Sequence, residues 1–475
     1  MYKFNFIYEL KGLLRNGWIQ LLSLLLFALF FFAFYNGHEK VDKRKLDILA
    51  AHQEVKETDQ EMLILLDSIE RGMEVSASPW TIPSKPMAVG NYHPRVAAMD
   101  PSNLAYISTG QSDLFTHYVK PKTSGDDLAL NFTEITNPVQ QLFGSFDPAF
   151  VIIFLLPLII IAFTYNVLSS ERESGTLRLL ASQPISLASW VLQKMVIRLF
   201  WIIVMIGVIL TIVFYINGND SNLADLLPVL GVTVGYVLFW FAVAFVVNLW
   251  VGSSAKNAIA LIGLWLLFVL LIPSTLNQMG STLYPMPSRT LMINQLRNAK
   301  EDATKKQDEI LDNFLRDHPE YAINDPNQGR SFYHRYMASQ QLVREELQPV
   351  IQKFEGQLQN QQQWISQLKW VSPAIIVQQE LNALAGTSTR DYENYRKQVT
   401  AFAETWRQHL LPFLYNNQPF SSEDYKNLPV FEYVSLESDS TTKSILVLVV
   451  IALGLVALGF AKGMGYQSSK NIITP

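Results

Sequence analysis

The sequence predicts a mainly α-helical, polytopic membrane protein. It has six transmembrane helices, both termini in the cytoplasm, and two extracytoplasmic domains, the first α+β and the second helical. Three observations carry this. Apolar types make up 49% of the 475 residues and charged types only 16%, well under the ~25% charged of soluble domains. Six stretches of about 18 residues or more hold no Asp, Glu, Lys or Arg, each long enough to cross ~30 Å of hydrocarbon. Basic residues gather on one side of those stretches. The same composition excludes a disordered chain. A net charge of -4 excludes a nucleic-acid binder with a basic excess, and the lack of cysteine removes disulfide scaffolds, thiolate metal sites and Cys nucleophiles.

The first element, residues 1–17, reads as a cytoplasmic amphipathic helix with Phe4, Ile7, Leu10 and Leu14 on one face. The spans follow at 18–35, 148–168, 199–216, 226–251, 257–276 and 444–461, the third starting a turn or two before its apolar run. The first is preceded by Lys3, Lys11 and Arg15 like a signal peptide. Its apolar run exceeds the usual h-region, and Tyr35-Asn36-Gly37-His38 is no A-x-A site, so it reads as a retained anchor. With the N-terminus inside, the inner segments 1–17, 169–198, 252–256 and 462–475 carry an excess of +7, which leaves −11 elsewhere. The positive-inside rule therefore puts both termini in the cytoplasm.

Two long segments then lie outside, 36–147 and 277–443. Residues 39–73 place Ile48, His52, Val55, Asp59, Met62, Leu66, Ile69 and Met73 at helical spacing. His52 and Asp59 interrupt this seam, and the helix continues from the first span as a stalk. From 79 to 147 repeated prolines predict short strands and loops rather than helix. The second segment opens with Pro285-Met286-Pro287-Ser288-Arg289. It predicts helices over 291–317, over 331–369 with a solvated glutamine face, over 372–385 ended by Gly386, and over 390–415 with Phe402 and Trp406 on one side. Around 370–377 the surface is expected to meet the bilayer. The last element is a cytoplasmic tail, 462–475.

The chain offers no catalytic, cofactor-binding or metal-ligating residue. It has no G-x-x-x-x-G-K-[ST] loop, no H-E-x-x-H and no G-x-S-x-G, and its seven histidines are scattered. The spans carry no ionisable group of the kind that lines ion-coupled pathways. Lys194 and Arg198 sit near a cytoplasmic end, where they can snorkel. Asn166, Asn248 and Thr164 read as isolated polar residues. A chain without an internal energy source draws energy from another subunit if it moves a cargo.

The segment that carries function is the cytoplasmic loop 169–190. Glu173-Ser174-Gly175-Thr176-Leu177, then Leu179-Leu180 and Pro184-Ile185-Ser186, predict a short surface helix with Gly175 as the turn and Pro184 as the stop. Glu171, Arg172, Glu173 and Arg178 supply polar contacts. This pattern resembles the coupling helix of ABC-2-type exporter permeases (type V exporter-like). Residues 285–289 and 372–387 resemble a bacterial subgroup with large extracytoplasmic insertions. Residues 79–147 match no pattern of the family.

The resemblance implies the membrane (permease) subunit of an ABC exporter in the bacterial cytoplasmic (inner) membrane. A separate ATP-binding-cassette ATPase subunit would hold ATP-Mg and perform the hydrolysis, so this chain is not itself an enzyme and holds no cofactor. A second permease chain, identical or a paralogue, and membrane lipid are the other implied partners; nucleic acid is not one. Glu171, Arg172, Glu173, Gly175, Thr176, Leu177 and Arg178 are implied as the ATPase-coupling residues. The rival readings are an ATPase stroke delivered to the external domains, passive scaffolding of an envelope partner, and a membrane enzyme. The last requires clustered polar residues within the bilayer.

Overall fold

The computed structural model describes residues 2–78, 80–110, 116–123, 145–177, 186–216, 223–317, 332–436 and 441–468. It is mainly helical and holds six helices long and apolar enough to cross a membrane. Helix α1 (Tyr2–Arg15) precedes α2 (Gly17–Glu70), one continuous helix of 54 residues capped by the Asn16 side chain. First span and stalk are therefore a single rod of about 80 Å at 1.5 Å per residue. Gly37 lets the rod pass residues 104–107, because a Cβ there would lie 2.3 Å from the Tyr106 carbonyl oxygen.

The other spans are α4 (Pro148–Glu173), α5 (Leu187–Ile216), α6 (Leu223–Trp250), α7 (Ser254–Leu283) and α14 (Thr441–Ser468). Between them α3 (Pro86–Tyr92) and the strands β1 (Ala97–Ala98) and β2 (Tyr118–Val119) belong to the first long connection. The helices α8 (Arg289–Lys305), α9 (Gln307–Asp317), α10 (Phe332–Leu368), α11 (Pro373–Leu384), α12 (Thr389–Tyr415) and α13 (Ser422–Lys426) belong to the second. Helix α6 is the centre of the bundle, with 72% of its apolar window buried, whereas α7 lies at the edge with 11%. The bundle has a loop end, bearing α1 and residues 169–177, and a head end, bearing both long connections.

Two spans are interrupted in the same way. A π-turn, Val151–Leu155, precedes Pro157 in α4, and another, Leu266–Leu271, precedes Pro273 in α7. Proline lacks an N–H and crowds the carbonyl four residues back, and a widened turn relieves both defects. The Ile153 carbonyl, left without its Pro157 donor, accepts the Tyr236 hydroxyl at 3.1 Å. The neighbouring Phe154 carbonyl accepts the Trp265 indole at 3.1 Å, and the Phe268 carbonyl accepts the Ser372 hydroxyl at 2.6 Å. In hydrocarbon such donors must come from protein.

The head departs from the sequence reading. The two long connections do not build separate cores. Leu66, Val89, Met99 and Val119 share one apolar cluster with Tyr395, Phe402, Trp406 and Leu428. The Tyr395 hydroxyl donates to the Ala97 carbonyl at 2.8 Å and the Trp406 indole to that of Gly90 at 3.2 Å. The proline-rich stretch contains a helix after all, because Pro86 occupies the first turn of α3, where no N–H is needed. Among its described residues the strands are a two-residue antiparallel pair, Ala97 opposite Val119. Asp59 interrupts the stalk seam because it accepts Arg95 (2.5 Å) and the Tyr425 hydroxyl (2.9 Å), while His52 and Met73 are exposed.

In the second connection the region predicted as one helix over 291–317 is two, α8 and α9. The glutamines of α10 are not a solvated face throughout. Gln361 donates to the Tyr284 carbonyl at 2.6 Å and Gln359 pairs with Glu393. Trp370 and Val371 are exposed, but residues 373–377 are buried in the bundle rather than on lipid. Helix α11 packs against α6 and α14, and its Glu380, 4% exposed, accepts the Ser444 hydroxyl at 2.6 Å.

Candidate functional site

Helix α4 loses its regular form at residues 165–168 and regains it over Ser169–Glu173. A break there frees backbone groups near the loop end, and side chains of α6 and α7 take them up. Asn248 donates to the Thr164 carbonyl at 2.9 Å and accepts the Leu168 N–H at 3.3 Å. Asn257 donates to the Tyr165 carbonyl at 2.8 Å. Both asparagines are fully buried. The Ser169 and Ser254 hydroxyls meet at 2.8 Å. The polar residues of the bilayer that read as isolated are thus a cluster, formed because one broken helix needs donors that only its neighbours can offer. Asn166 contributes its carbonyl to the Ser170 N–H.

Beyond the break, Gly175 ends the short helix with φ +76°, a left-handed conformation suited to glycine. A helical turn of this loop thus lies before Gly175, and Leu177 is helical again just after it, where the expected surface helix begins. Residues 178–185, including the expected coupling residue Arg178 and the stop Pro184, lie outside the described residues.

Each charged side chain described in the loop is engaged within the chain. Glu171 accepts Lys194 at 2.9 Å and the Thr176 hydroxyl. Lys194 stands over the Trp190 ring at 4.3 Å and 3.8 Å from Glu9 of α1. Arg198 holds Glu9 at 3.0 Å and donates to the Phe163 carbonyl. The two bases expected to snorkel are instead bolts between α5, α1 and α4. On the other side Arg172 donates to the Gly252 carbonyl at 2.9 Å. Glu173 accepts the Ser254 N–H at 2.8 Å and the Ser254 hydroxyl at 2.9 Å. Ser254 begins α7, so Glu173 caps the start of the fifth span, where unpaired N–H groups favour an anion.

The described part of the loop is therefore fastened to α5, to α7 and to the Gly252 linker, while its turn at 174–176 stays open. Ser170, Glu173, Ser174, Gly175 and Thr176 are exposed, and Leu177 is half-buried against the bundle. In α1, Leu13 is buried whereas Leu14 and Ile7 are exposed. Among the described residues no group of three His, Asp or Glu side chains is placed to hold a metal ion.

The sequence reading missed Asn257, Ser254, Lys194, Arg198 and Glu9 as parts of this site. Lys194 and Arg198, each one helical turn apart on the span facing the loop, carried the only available signal.

Comparison with known proteins agrees with this architecture. Residues 135–299 match the family described as ABC-2 family transporter protein, and residues 289–434 match a domain of unknown function (DUF3526). A curated relative is the "Probable ABC transporter permease protein NosY" of Stutzerimonas stutzeri, 31% identical over 157 residues. The match covers 30% of this chain and 51% of that protein, so the chain spans about half the length of its relative. No solved structure matches. The match to the ABC-2 family transporter protein takes in the second to fifth spans and the loop between the second and third.

Proposed function

We propose that this chain is the membrane subunit of an ABC exporter in the bacterial cytoplasmic membrane, with the loop end and both termini in the cytoplasm. A separate ATPase subunit binds and hydrolyses ATP-Mg and docks on the loop around 169–186. Two permease chains, identical or paralogous, enclose the path, and the heads stand on the far side. Glu171, Arg172, Glu173, Gly175, Thr176, Leu177 and Arg178 are the ATPase-coupling residues.

The observation that carries this reading is the fastening of the loop. An ordinary connection between spans needs no bolts, whereas a lever needs one open end and a rigid attachment. Here the tip at 174–176 is exposed, and its root is bonded to α5 through Lys194 and to α7 through Gly252 and Ser254. A push on the tip reaches two spans at once without bending the loop, because hydrogen bonds to charged groups are the stronger kind.

The test is purification of the tagged chain from its native membrane in mild detergent, with assay of co-eluting ATP hydrolysis. A stoichiometric ATPase subunit is expected. Gly175→Pro, which cannot adopt a positive φ, is expected to leave the chain inserted and to cut coupled hydrolysis by about tenfold or more. Unchanged coupling in that variant would count against the loop.

A further inference from the structure

Resting on the loop assignment above, we infer that Arg172 and Glu173 are positioning residues that join the loop to the fifth span, and that the ATPase meets the tip formed by Ser174, Gly175 and Thr176. Two charged residues side by side on a cytoplasmic loop are ordinarily taken as a docking patch. Their geometry is that of an internal joint.

The Arg172 guanidinium donates to the Gly252 carbonyl at 2.9 Å. The approach is close, since a Cβ at position 252 would lie 3.0 Å from the same nitrogen. Both oxygens of Glu173 are committed to one residue, the backbone N–H and hydroxyl of Ser254, at 2.8 and 2.9 Å. A third contact, between the Ser169 and Ser254 hydroxyls at 2.8 Å, closes the same junction. Residues 169–173 and the first turn of α7 thus form one unit, although about 80 residues separate them. This unit matters because α7 is the least buried span. With little packing to hold it, α7 takes its position at this end from the loop. Docking through the same carboxylate would take the acceptor away from the Ser254 N–H and hydroxyl in the first turn of α7.

The chain has no cysteine, so introduced cysteines are unique labelling sites. Spin labels at Ser170→Cys and Ile259→Cys, both exposed positions, report the distance between the loop and the fifth span in the purified complex. The expected result is a narrow distribution, unchanged between nucleotide-free and nucleotide-trapped complex. Glu173→Ala is expected to broaden it and make it nucleotide-dependent, with the ATPase still bound at wild-type stoichiometry and coupled hydrolysis reduced about tenfold. Glu173→Gln keeps an acceptor for the Ser254 N–H and is expected to restore the narrow distribution. Bulk at the tip, Ser174→Trp, is expected to release the ATPase and leave the distribution narrow.

Release of the ATPase by Glu173→Ala with the distribution still narrow makes Glu173 a docking residue and overturns the inference alone. An unbroadened distribution with the ATPase retained also overturns it. A wild-type chain that binds no ATPase removes the functional reading, and the inference with it.

Discussion

The two interruptions of α4 are mended by different chemistry. At the head end the π-turn at 151–155 is packed in apolar side chains, with Val151, Ile152 and Ile153 buried and the Tyr236 hydroxyl and Trp265 indole repairing the backbone. At the loop end the break at 165–168 is repaired by two asparagines and bordered by charged residues that reach water. Apolar packing has few alternative partners and holds one arrangement. Directional bonds from buried asparagines hold the loop end to α6 and α7 through named partners. One helix thus has an end held by apolar packing and an end held by polar bonds, and the second faces the proposed ATPase.

Asn248→Leu breaks the comparison most severely. It leaves the Thr164 carbonyl and the Leu168 N–H without their partner in a buried setting, at about 1–3 kcal/mol for each group. A loss of about 3 kcal/mol in thermal unfolding in detergent is expected, with new proteolysis between 165 and 177. Stability near wild type would show that water reaches the break.

The head end is expected to respond next. Asp147 caps α4, accepting the Phe150 N–H at 2.8 Å and both the N–H and hydroxyl of Thr109. Asp147→Ala is expected to cost about 2 kcal/mol. Burial pushes this carboxyl up to about 6, against the pull of its hydrogen bonds from Phe150, Thr109 and the Gly110 N–H. A raised carboxyl favours the protonated folded state. That contribution is full below the unfolded value near 3.8 and is lost as pH rises through about 6. The melting temperature of the head is therefore expected to fall between pH 4 and pH 7, and Asp147→Ala to flatten that slope. A slope that survives the substitution would assign it to another group.

Tyr236→Phe is the mildest probe. It removes the side-chain donor to the Ile153 carbonyl and is expected to cost about 1 kcal/mol. A cost well above that of Asp147→Ala would mean the head end is held by its polar bond after all.

Much of this molecule was legible in its sequence. The six spans follow from uncharged runs, and the rod α2 from the lack of proline between 17 and 70. Gly175 as a turn follows from its residue type, and its φ of +76° agrees. What was not legible is pairing across distance. Glu9 and Arg198 are far apart in sequence, as are Arg172 and Gly252, and each reads alone as an ordinary surface residue. The same holds for the head. Trp406 and Gly90 lie on opposite sides of four spans, and only the fold brings both connections into one core. Residue type fixes what a side chain can bond, but not which chain segment arrives to bond it.

The unbroken α2 converts angle into distance. Some 35 of its residues stand beyond the first span, an arm of roughly 50 Å. Over that arm each degree of tilt carries the far end through about 0.9 Å. Leu66 and Asp59, near that end, are locked into the head through the shared core and through Arg95 and Tyr425. A tilt of the first span too small to open a gap between helices in the bilayer is thus displayed by the head as a sideways swing of several ångströms, as the tip of a mast shows the roll of a hull.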